Sequence, residues 1–147
     1  MKYILVLLAL MFTFTAAFGQ NPLLKHRWNK RVLVIFSPQD QTSQSQEQAS
    51  ICTPGSPEWE ARKLAVYEVS GEGGLTPDGN YISLEDARRL RKGYGISLGE
   101  FMVVLVGLDG KEKLRSSSPV SLSEIYALID SMPMRKEEQE GQKSHDP

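Results

Sequence analysis

The sequence predicts an α/β fold in which helices cover both faces of a mixed β-sheet that ends in an antiparallel hairpin and a closing helix. Two apolar runs carry this prediction: Val32–Phe36 is β-branched and aromatic, and Met102–Val106 has no polar side chain on either face. Runs of this length without polar members are typical of strands that are covered on both sides. Asp109-Gly110 then separates the second run from a shorter alternating one, which predicts the hairpin.

The hairpin predicts both a turn and a sheet edge. Asp109 and Gly110 are the pair that a two-residue type I′ turn prefers, because both of its central residues need a positive φ. In the strand after the turn, Glu112 and Leu114 are expected on one face, and the opposite face is expected to carry Lys111, Lys113 and Arg115. Charged side chains protect a sheet edge from pairing with another chain. We therefore expect the strand before the turn in the middle of the sheet and the strand after it at the edge.

The first half of the chain predicts a strand-helix-strand unit that begins with Val32–Phe36. The polar stretch 39–50 follows this buried strand directly, so we expect a loop that leads into an exposed helix with Asp40 or Thr42 as N-cap. The helix should end before the breaker cluster at residues 54–57. Leu64–Val69 is the second predicted strand, and the glycine-rich stretch 70–80 predicts a loop.

Capping patterns predict two further helices. The pattern Ser83–Asp86 is a variant capping box and predicts a helix to about Lys92 that Gly93 or Gly95 closes. The pattern Ser121–Glu124 is a regular capping box, and the helix that it opens has the apolar stripe Leu122, Ile125, Leu128 and Ile129. The resulting order of strands and helices is that of a thioredoxin-like three-layer fold.

Three segments of different character are expected along the chain. Residues 1–19 combine a positive start, an apolar stretch and a small-x-small motif, which is the pattern of a secretory signal peptide, and the apolar stretch is short for a membrane span of about 20 residues. Residues 20–135 are expected to form the thioredoxin-like domain, and the polar residues 136–147 a disordered tail. We expect an exported protein, periplasmic or secreted, with no stable membrane span after signal cleavage.

The charge, cysteine content and histidine content of the chain argue against several classes of function and of stabilising site. With 17 Lys and Arg against 18 Asp and Glu, the chain lacks the excess of basic residues that is typical of nucleic-acid-binding proteins. Its single cysteine, Cys52, cannot form an internal disulfide, so packing must stabilise the fold. His26 and His145 lie near opposite ends of the chain without a third ligand at suitable spacing, and we expect neither a metal site nor a cofactor.

The loop after the first strand, Pro38-Gln39-Asp40-Gln41-Thr42-Ser43-Gln44-Ser45, resembles the Pro-x-x-x-Thr-x-x-Cys active-site loop of peroxiredoxins. In that family the cysteine attacks a peroxide as a thiolate. Here Ser45 stands in its place, and an unactivated hydroxyl offers neither a comparable nucleophile nor sulfenic-acid chemistry. Pro38, Thr42 and Ser45 are therefore interpreted as a degenerate site. A weaker hypothesis keeps the loop as a small-ligand cleft that binds oxyanions.

Any thiol chemistry depends on Cys52. A dithiol mechanism is excluded for a single chain, because no Cys-x-x-Cys occurs and the residues just before Phe101 lack the proline that thioredoxins place opposite their thiols. Cys52 lies seven residues beyond Ser45 on a similar helix face, and is interpreted as a small buried hydrophobe near the helix end. The alternative is a one-cysteine peroxidase or thiol reductase that uses an external thiol.

Three stretches, Leu24–Phe36, Phe101–Arg115 and the Ile-Asp-Ser-Met-Pro-Met-Arg run at Ile129–Arg135, resemble the P-DUDES domain. This is a domain-of-unknown-function family found in exported bacterial proteins and in secreted animal matrix proteins with sushi repeats. The family is described as thioredoxin-like and related to peroxiredoxins, without established catalytic residues. The resemblance therefore implies a fold and an exported setting, which in the animal members is adhesion and matrix assembly.

The end of the last predicted helix is a candidate interaction face. Pro133 should end that helix, and methionines beside it repack easily, which suits an adaptable partner-binding surface made by Arg115, Asp130, Met132, Met134 and Arg135. The alternative is local packing, in which the methionines fill the gap below the helix and Asp130 pairs with Arg135 or Arg115. The sequence favours a non-catalytic module that binds a protein or an envelope or matrix component.

Overall fold

The computed structural model of the chain describes residues 21–40, 42–71 and 73–144. The predicted signal peptide, residues 1–19, lies outside these residues. The strands are β1 Arg31–Ser37, β2 Leu64–Ser70, β3 Gly73–Leu75, β4 Met102–Val106 and β5 Glu112–Ser116. A short 3₁₀ helix at Pro22–His26 precedes β1, and the helices are α1 Ser43–Ile51, α2 Pro57–Ala61, α3 Leu84–Tyr94, α4 Leu122–Ser131 and α5 Pro133–Lys143.

The sheet has the strand order β3-β2-β1-β4-β5. Strands β1 and β2 are parallel, as a strand-helix-strand unit requires, whereas β1–β4, β2–β3 and β4–β5 are antiparallel. The mixed sheet between helices confirms the predicted thioredoxin-like architecture. β5 lies at the edge, as its charges predict. The centre is occupied by β1, and β4 lies beside it rather than in the middle.

Alternating side chains of the central strands build a separate core on each face of the sheet. Val32, Val34 and Phe36 point to the face that Ala87 and Leu90 of α3 cover. The other face buries Leu33, Ile35, Val103, Leu105, Trp59, Ile125 and Ile129, the last three from α2 and α4. Neither central strand has a solvent-exposed face, which explains why their sequences are continuous apolar runs.

The predicted helix ends are confirmed by their hydrogen bonds. Thr42, Ser83 and Ser121 are the N-caps of α1, α3 and α4, and each side chain accepts a hydrogen bond from the backbone N–H three residues later. Of the two glycines expected to close α3, Gly95 is the C-cap. Its φ of 67° lies in the left-handed region, where glycine has no steric penalty.

The predicted two-residue turn of the hairpin is wrong. Gly110 has a φ of 78°, but the non-glycine residues with positive φ in the described chain are Trp28 and Lys63, so Asp109 does not adopt the conformation that a type I′ turn needs. Gly107 N–H donates to the Lys111 carbonyl at 2.9 Å, which closes a longer loop. The Asp109 carboxylate stabilises this loop by accepting from the Lys111 N–H at 3.0 Å.

Two segments differ from their predictions, and a third forms a helix where none was predicted. The passage after Pro57 is the helix α2, because Pro57 begins it, Ser56 caps it and its Trp59 is only 1% exposed. The predicted loop 70–80 contains β3, which pairs with β2. Residues 136–143, expected to be part of a disordered tail, continue the helix α5, in which Glu138 forms ion pairs with Arg31 and Lys63.

The 3₁₀ helix is joined to the core through His26, and this contact predicts a pH dependence. Its Nε2 lies 2.9 Å from the Tyr67 hydroxyl. Burial, with Lys25 and Lys30 nearby, lowers the pKa of His26. The unfolded chain then binds the His26 proton at a higher pH than the folded chain does. The contribution of His26 to the free energy of unfolding is therefore complete above the ordinary histidine pKa of about 6.5. It is lost as the pH falls through the pKa that His26 has in the folded chain.

We expect urea midpoints to fall between pH 7 and pH 5 in the native chain, and to fall less in His26→Gln. Glutamine retains a hydrogen-bonding side chain but has no proton to bind in this range. An equal pH slope in the two proteins would contradict the assignment. The carboxylates with lowered pKa values, such as those of Asp130 and Glu138, lose their charge below this window and do not obscure it.

Candidate functional site

The residue at the peroxiredoxin-like position, Ser45, is used to hold the start of α1. Its Oγ accepts a hydrogen bond from the Thr42 N–H at 2.9 Å and donates to the Thr42 carbonyl at 2.8 Å. The Thr42 hydroxyl in turn accepts from the Ser45 N–H at 3.3 Å. This reciprocal arrangement is a capping box in which serine replaces the usual Glu or Gln. The Ser45 hydroxyl is thus committed to the helix end.

Removing this hydroxyl should cost stability. Ser45→Ala is expected to lower the free energy of unfolding by about 1 kcal/mol, because two backbone groups of Thr42 lose their partner. Ser43→Ala, at an exposed position of the same turn, is the matched control and should change stability by less than about 0.5 kcal/mol. Urea unfolding of the two variants measures this difference. Equal effects would contradict the capping role.

Arg91 of α3 reaches the end of β1 beside this loop, and its guanidinium already donates to backbone carbonyls. Nε donates to the Gly71 carbonyl, Nη1 to that of Ser97 and Nη2 to that of Ser37, each at 2.7 Å, and Nη2 also contacts the Val69 carbonyl at 3.2 Å. Burial lowers the pKa of Arg91. The Arg91 side chain therefore joins the carboxyl ends of β1 and β2 through hydrogen bonds, and these bonds use the donors that a ligand would need.

A cleft of about 260 Å³ lies between α1 and the ends of these strands. Ser37, Ser45, Ser70 and Glu68 line it together with apolar atoms of Ile35 and Ala49. Pro38 lies at its border, where its carbonyl accepts from the Ser70 hydroxyl at 3.2 Å. The lining, within the described residues, has one carboxylate and no basic side chain, and this charge disfavours the oxyanion hypothesis.

Cys52 follows α1 as its C-cap and is partly buried against the core on the α4 side of the sheet. Burial raises the pKa of the Cys52 thiol, Glu68 raises it further, and the Gln48 amide, 3.8 Å from Sγ, opposes both. Reactive cysteines lie instead beside cations or at helix N-termini, which stabilise the thiolate. This setting matches the interpretation of Cys52 as a small buried side chain.

Gln48 is fully buried in an otherwise polar helix, and no sequence pattern predicted this. Its Oε1 accepts from the Val120 N–H at 2.7 Å and its Nε2 donates to the Val120 carbonyl at 3.2 Å. The Gln48 amide thus satisfies both backbone groups of Val120, as the backbone of a neighbouring β-strand would. Arg91 was missed too, although it lies four residues after Ala87 and so falls on the buried face of α3.

The residues of the predicted interaction face lie on opposite sides of the sheet. A bulge in β5 pairs Leu105 with Leu114 but Val106 with Glu112, so Glu112 shares a face with Arg115 instead of with Leu114 as predicted. Arg115 binds the Glu112 carboxylate through Nε and Nη2 at 2.9 and 2.8 Å. It therefore lies on the α3 side of the sheet, away from the other members of the predicted face.

Asp130 and Arg135 form an ion pair with each other, as the hypothesis of local packing expects. Arg135 is 5% exposed and its Nε lies 3.3 Å from Asp130, which Arg62 also binds at 2.6 Å. Glu138 is 3.2 Å from Arg31 and 3.4 Å from Arg135. Burial opposes the ionisation of both carboxyls, but Arg62 and Arg135 lower the pKa of Asp130. Lys63 and Arg31 likewise lower the pKa of Glu138. The network joins α4 and α5 to the start of β1.

Met132 and Met134 remain accessible beside this network. Both are half-buried, and Met132 packs against the core on the α4 side. They line a second cleft together with Arg31 and the hairpin loop. The part of the predicted face that the structure brings together is therefore Asp130, Met132, Met134 and Arg135.

Two classes of site have no counterpart in residues 21–40, 42–71 and 73–144. No cluster of three or more His, Cys, Asp or Glu side chains in this part of the chain could hold a metal ion. Its helices are all too short or too polar to cross a bilayer.

Comparison with solved structures supports the fold assignment. A 2-Cys peroxiredoxin of Plasmodium vivax in its reduced form superposes with a TM-score of 0.57, over 78% of this chain and 84% of that one. The two sequences are 16% identical, so the likeness concerns the fold alone.

Comparison with known sequences identifies the family. Coiled-coil domain-containing protein 80 of Danio rerio is 31% identical over 141 aligned positions, and the match covers 85% of this chain. The aligned region is only 16% of that relative, so the chain corresponds to a small part of a much longer protein. Residues 22–138 match the family described as domain of unknown function (DUF4174). The chain belongs to this DUF4174 family.

Proposed function

We propose that this chain is a non-catalytic binding module built on a peroxiredoxin-like framework. The observation that carries the proposal is the Ser45 hydroxyl, which stands where a peroxiredoxin has its nucleophilic cysteine and is bonded to both backbone groups of Thr42. The nearby Arg91 donates to backbone carbonyls. The structural use of these two side chains supports a loop that has neither a nucleophile nor an anion clamp.

The setting that we propose is export to the periplasm or the exterior of the cell, with a protein or an envelope or matrix component as partner. The signal-peptide pattern of residues 1–19 supports export. The resemblance to the P-DUDES domain supports the class of partner, because its animal members belong to secreted matrix proteins.

A peroxide-consumption assay tests the absence of catalysis. The full chain, hydrogen peroxide and dithiothreitol are incubated together, and we expect consumption equal to that of a control without protein. Cys52→Ala should behave identically. Turnover above the control would overturn the proposal, and its loss in Cys52→Ala would assign the activity to this thiol.

The alternative function, a one-cysteine peroxidase or thiol reductase centred on Cys52, is disfavoured by the surroundings of the thiol. The Gln48 amide donates to Sγ at 3.8 Å, but burial and the Glu68 carboxylate outweigh this contact and raise the pKa of the thiol. A peroxidatic thiol needs surroundings that stabilise the thiolate on balance.

A further inference from the structure

A cleft of about 360 Å³ separates the hairpin loop from the junction of α4 and α5. One wall is formed by the hairpin, with Leu108 and the ion pair between Lys113 and Asp109, whose atoms are 2.8 Å apart. The other wall is the junction itself, with Met132 and Met134 on either side of Pro133. A volume of this size accommodates one or two large side chains of a ligand.

Arg31 lines the cleft at the start of β1, and its hydrogen-bonding capacity is incompletely used. The side chain is 1% exposed. Its Nη1 donates to the Arg62 carbonyl at 2.9 Å and to the Glu138 carboxylate at 3.2 Å, but its Nε is buried without a hydrogen-bond partner among the described residues. A buried guanidinium group with an unused donor favours an additional acceptor.

The charges behind the cleft are unbalanced. The ion-pair network around Arg31 contains two carboxylates, those of Asp130 and Glu138, against four cations: Arg31, Arg62, Lys63 and Arg135. The excess of two positive charges lies in a region where two of the arginines are almost fully buried. Because burial weakens screening by solvent, this excess favours a ligand that carries a negative charge.

The remainder of the cleft favours an apolar side chain on an extended chain. Leu108, Met132 and Met134 present carbon and sulfur atoms, and methionine repacks readily around side chains of different shape. β5 borders the cleft through Lys113 and is the edge strand of the sheet. Within the part of the chain that the structure describes, its outer backbone groups therefore face no neighbouring strand. Extended polypeptides bind such edges through main-chain hydrogen bonds.

We propose that this cleft binds an extended polypeptide segment of a partner in which an acidic side chain adjoins a large apolar one. The carboxylate pairs with Arg31, and the apolar side chain lies against Met132 and Met134. The inference rests on the proposed binding function and specifies the chemistry of the partner. It also accounts for the Ile129–Arg135 stretch, whose charged members form the network and whose methionines form the wall.

A phage-displayed library of random heptapeptides, selected on the full chain, tests the proposal. We expect enriched sequences to place Asp or Glu next to Leu, Ile, Met, Phe or Trp. An enriched peptide is then synthesised and titrated into protein with ¹³C-labelled methionine methyl groups. The Met132 and Met134 signals should shift, while Met102, which packs on the α3 side of the sheet, serves as an internal control and should not.

Two matched variants locate the binding site. Met134→Glu places a negative charge in the cleft and should weaken peptide affinity about tenfold or more, whereas Leu98→Glu, at an apolar site that is 51% exposed, should change it less than about twofold. Replacing the acidic residue of the peptide by its amide should also weaken binding about tenfold. Neither protein variant alters Arg31, whose loss would endanger folding.

Failure to enrich any peptide, enrichment of peptides without an acidic residue, or affinity unaffected by Met134→Glu would each overturn the proposed cleft. Binding elsewhere on the molecule would leave the binding function standing. Peroxide turnover in the assay above would instead overturn the proposed function, so the two failures are distinguishable.

Discussion

Replacing Arg91 with methionine is expected to lower the free energy of unfolding by about 3–5 kcal/mol. The guanidinium donates to the carbonyls of Ser37, Val69, Gly71 and Ser97, which belong to two strand ends and two loops. Methionine fills a similar volume but has no donor. The buried carbonyls of Val69 and Gly71 therefore lose the guanidinium, as does that of Ser97, and the Ser37 carbonyl keeps only the Gly71 N–H. The apolar contacts of the side-chain stem are largely kept. Urea unfolding monitored by far-UV circular dichroism measures the loss.

Arg89→Met is the matched control on the same helix. Arg89 binds Glu85 and Asp86 at the surface, and exposed ion pairs of this kind contribute little. We expect Arg89→Met to lower the free energy of unfolding by less than about 1 kcal/mol. If the two variants were equally stable, Arg91 would not be the clamp that joins β1, β2 and the loops beside them.

The second large effect is expected at Gln48. Gln48→Leu should lower the free energy of unfolding by about 2–4 kcal/mol, because both backbone groups of Val120 are left buried without a hydrogen-bond partner. Leucine is similar in size, so the loss reports the hydrogen bonds more than a cavity. The measurement is again the urea midpoint and slope.

Gln44→Leu provides the control, since Gln44 donates from the same helix to the Ser117 carbonyl in an exposed contact. Its effect should remain within about 0.5 kcal/mol. A comparable loss at both positions would show that α1 is held generally by its polar residues, and would contradict a specific role for the buried amide.

The elements that could be predicted from the sequence are those with strong local signals. Val32–Phe36 and Met102–Val106 are continuous apolar runs because both faces of the central strands are buried. Thr42, Ser83 and Ser121 were identifiable as caps because their role depends on residues within one helical turn. Local chemistry is sufficient for such elements.

The elements that were mispredicted depend on distant partners. β3 consists of Gly73–Leu75, which has no strand pattern of its own and exists because β2 offers an edge. α5 is polar throughout most of its length and is held by Glu138, whose partners Arg31 and Lys63 are more than seventy residues away. The bulge that brings Glu112 to the same face as Arg115 likewise arises from the pairing of β5 with β4.

The candidate site was predictable only in part, for the same reason. Spacing alone identified the loop from Pro38 to Ser45 and the absence of a nucleophilic cysteine. It did not reveal that Arg91 is fully engaged with backbone carbonyls, since the four acceptors come from separate parts of the chain. The roles of Gln48 and Arg31 also depend on backbone groups that only the folded chain brings near.

The pH dependence of Cys52 alkylation is the most direct test of the claim that the framework has no reactive thiol. Cys52 is the single cysteine of the chain, so the rate of modification by iodoacetamide reports one group. Burial raises its pKa, and we therefore expect slow reaction with a midpoint above the value of about 8.5 for a free thiol. Rapid reaction with a midpoint near or below pH 7 would reveal a stabilised thiolate and contradict the non-catalytic assignment.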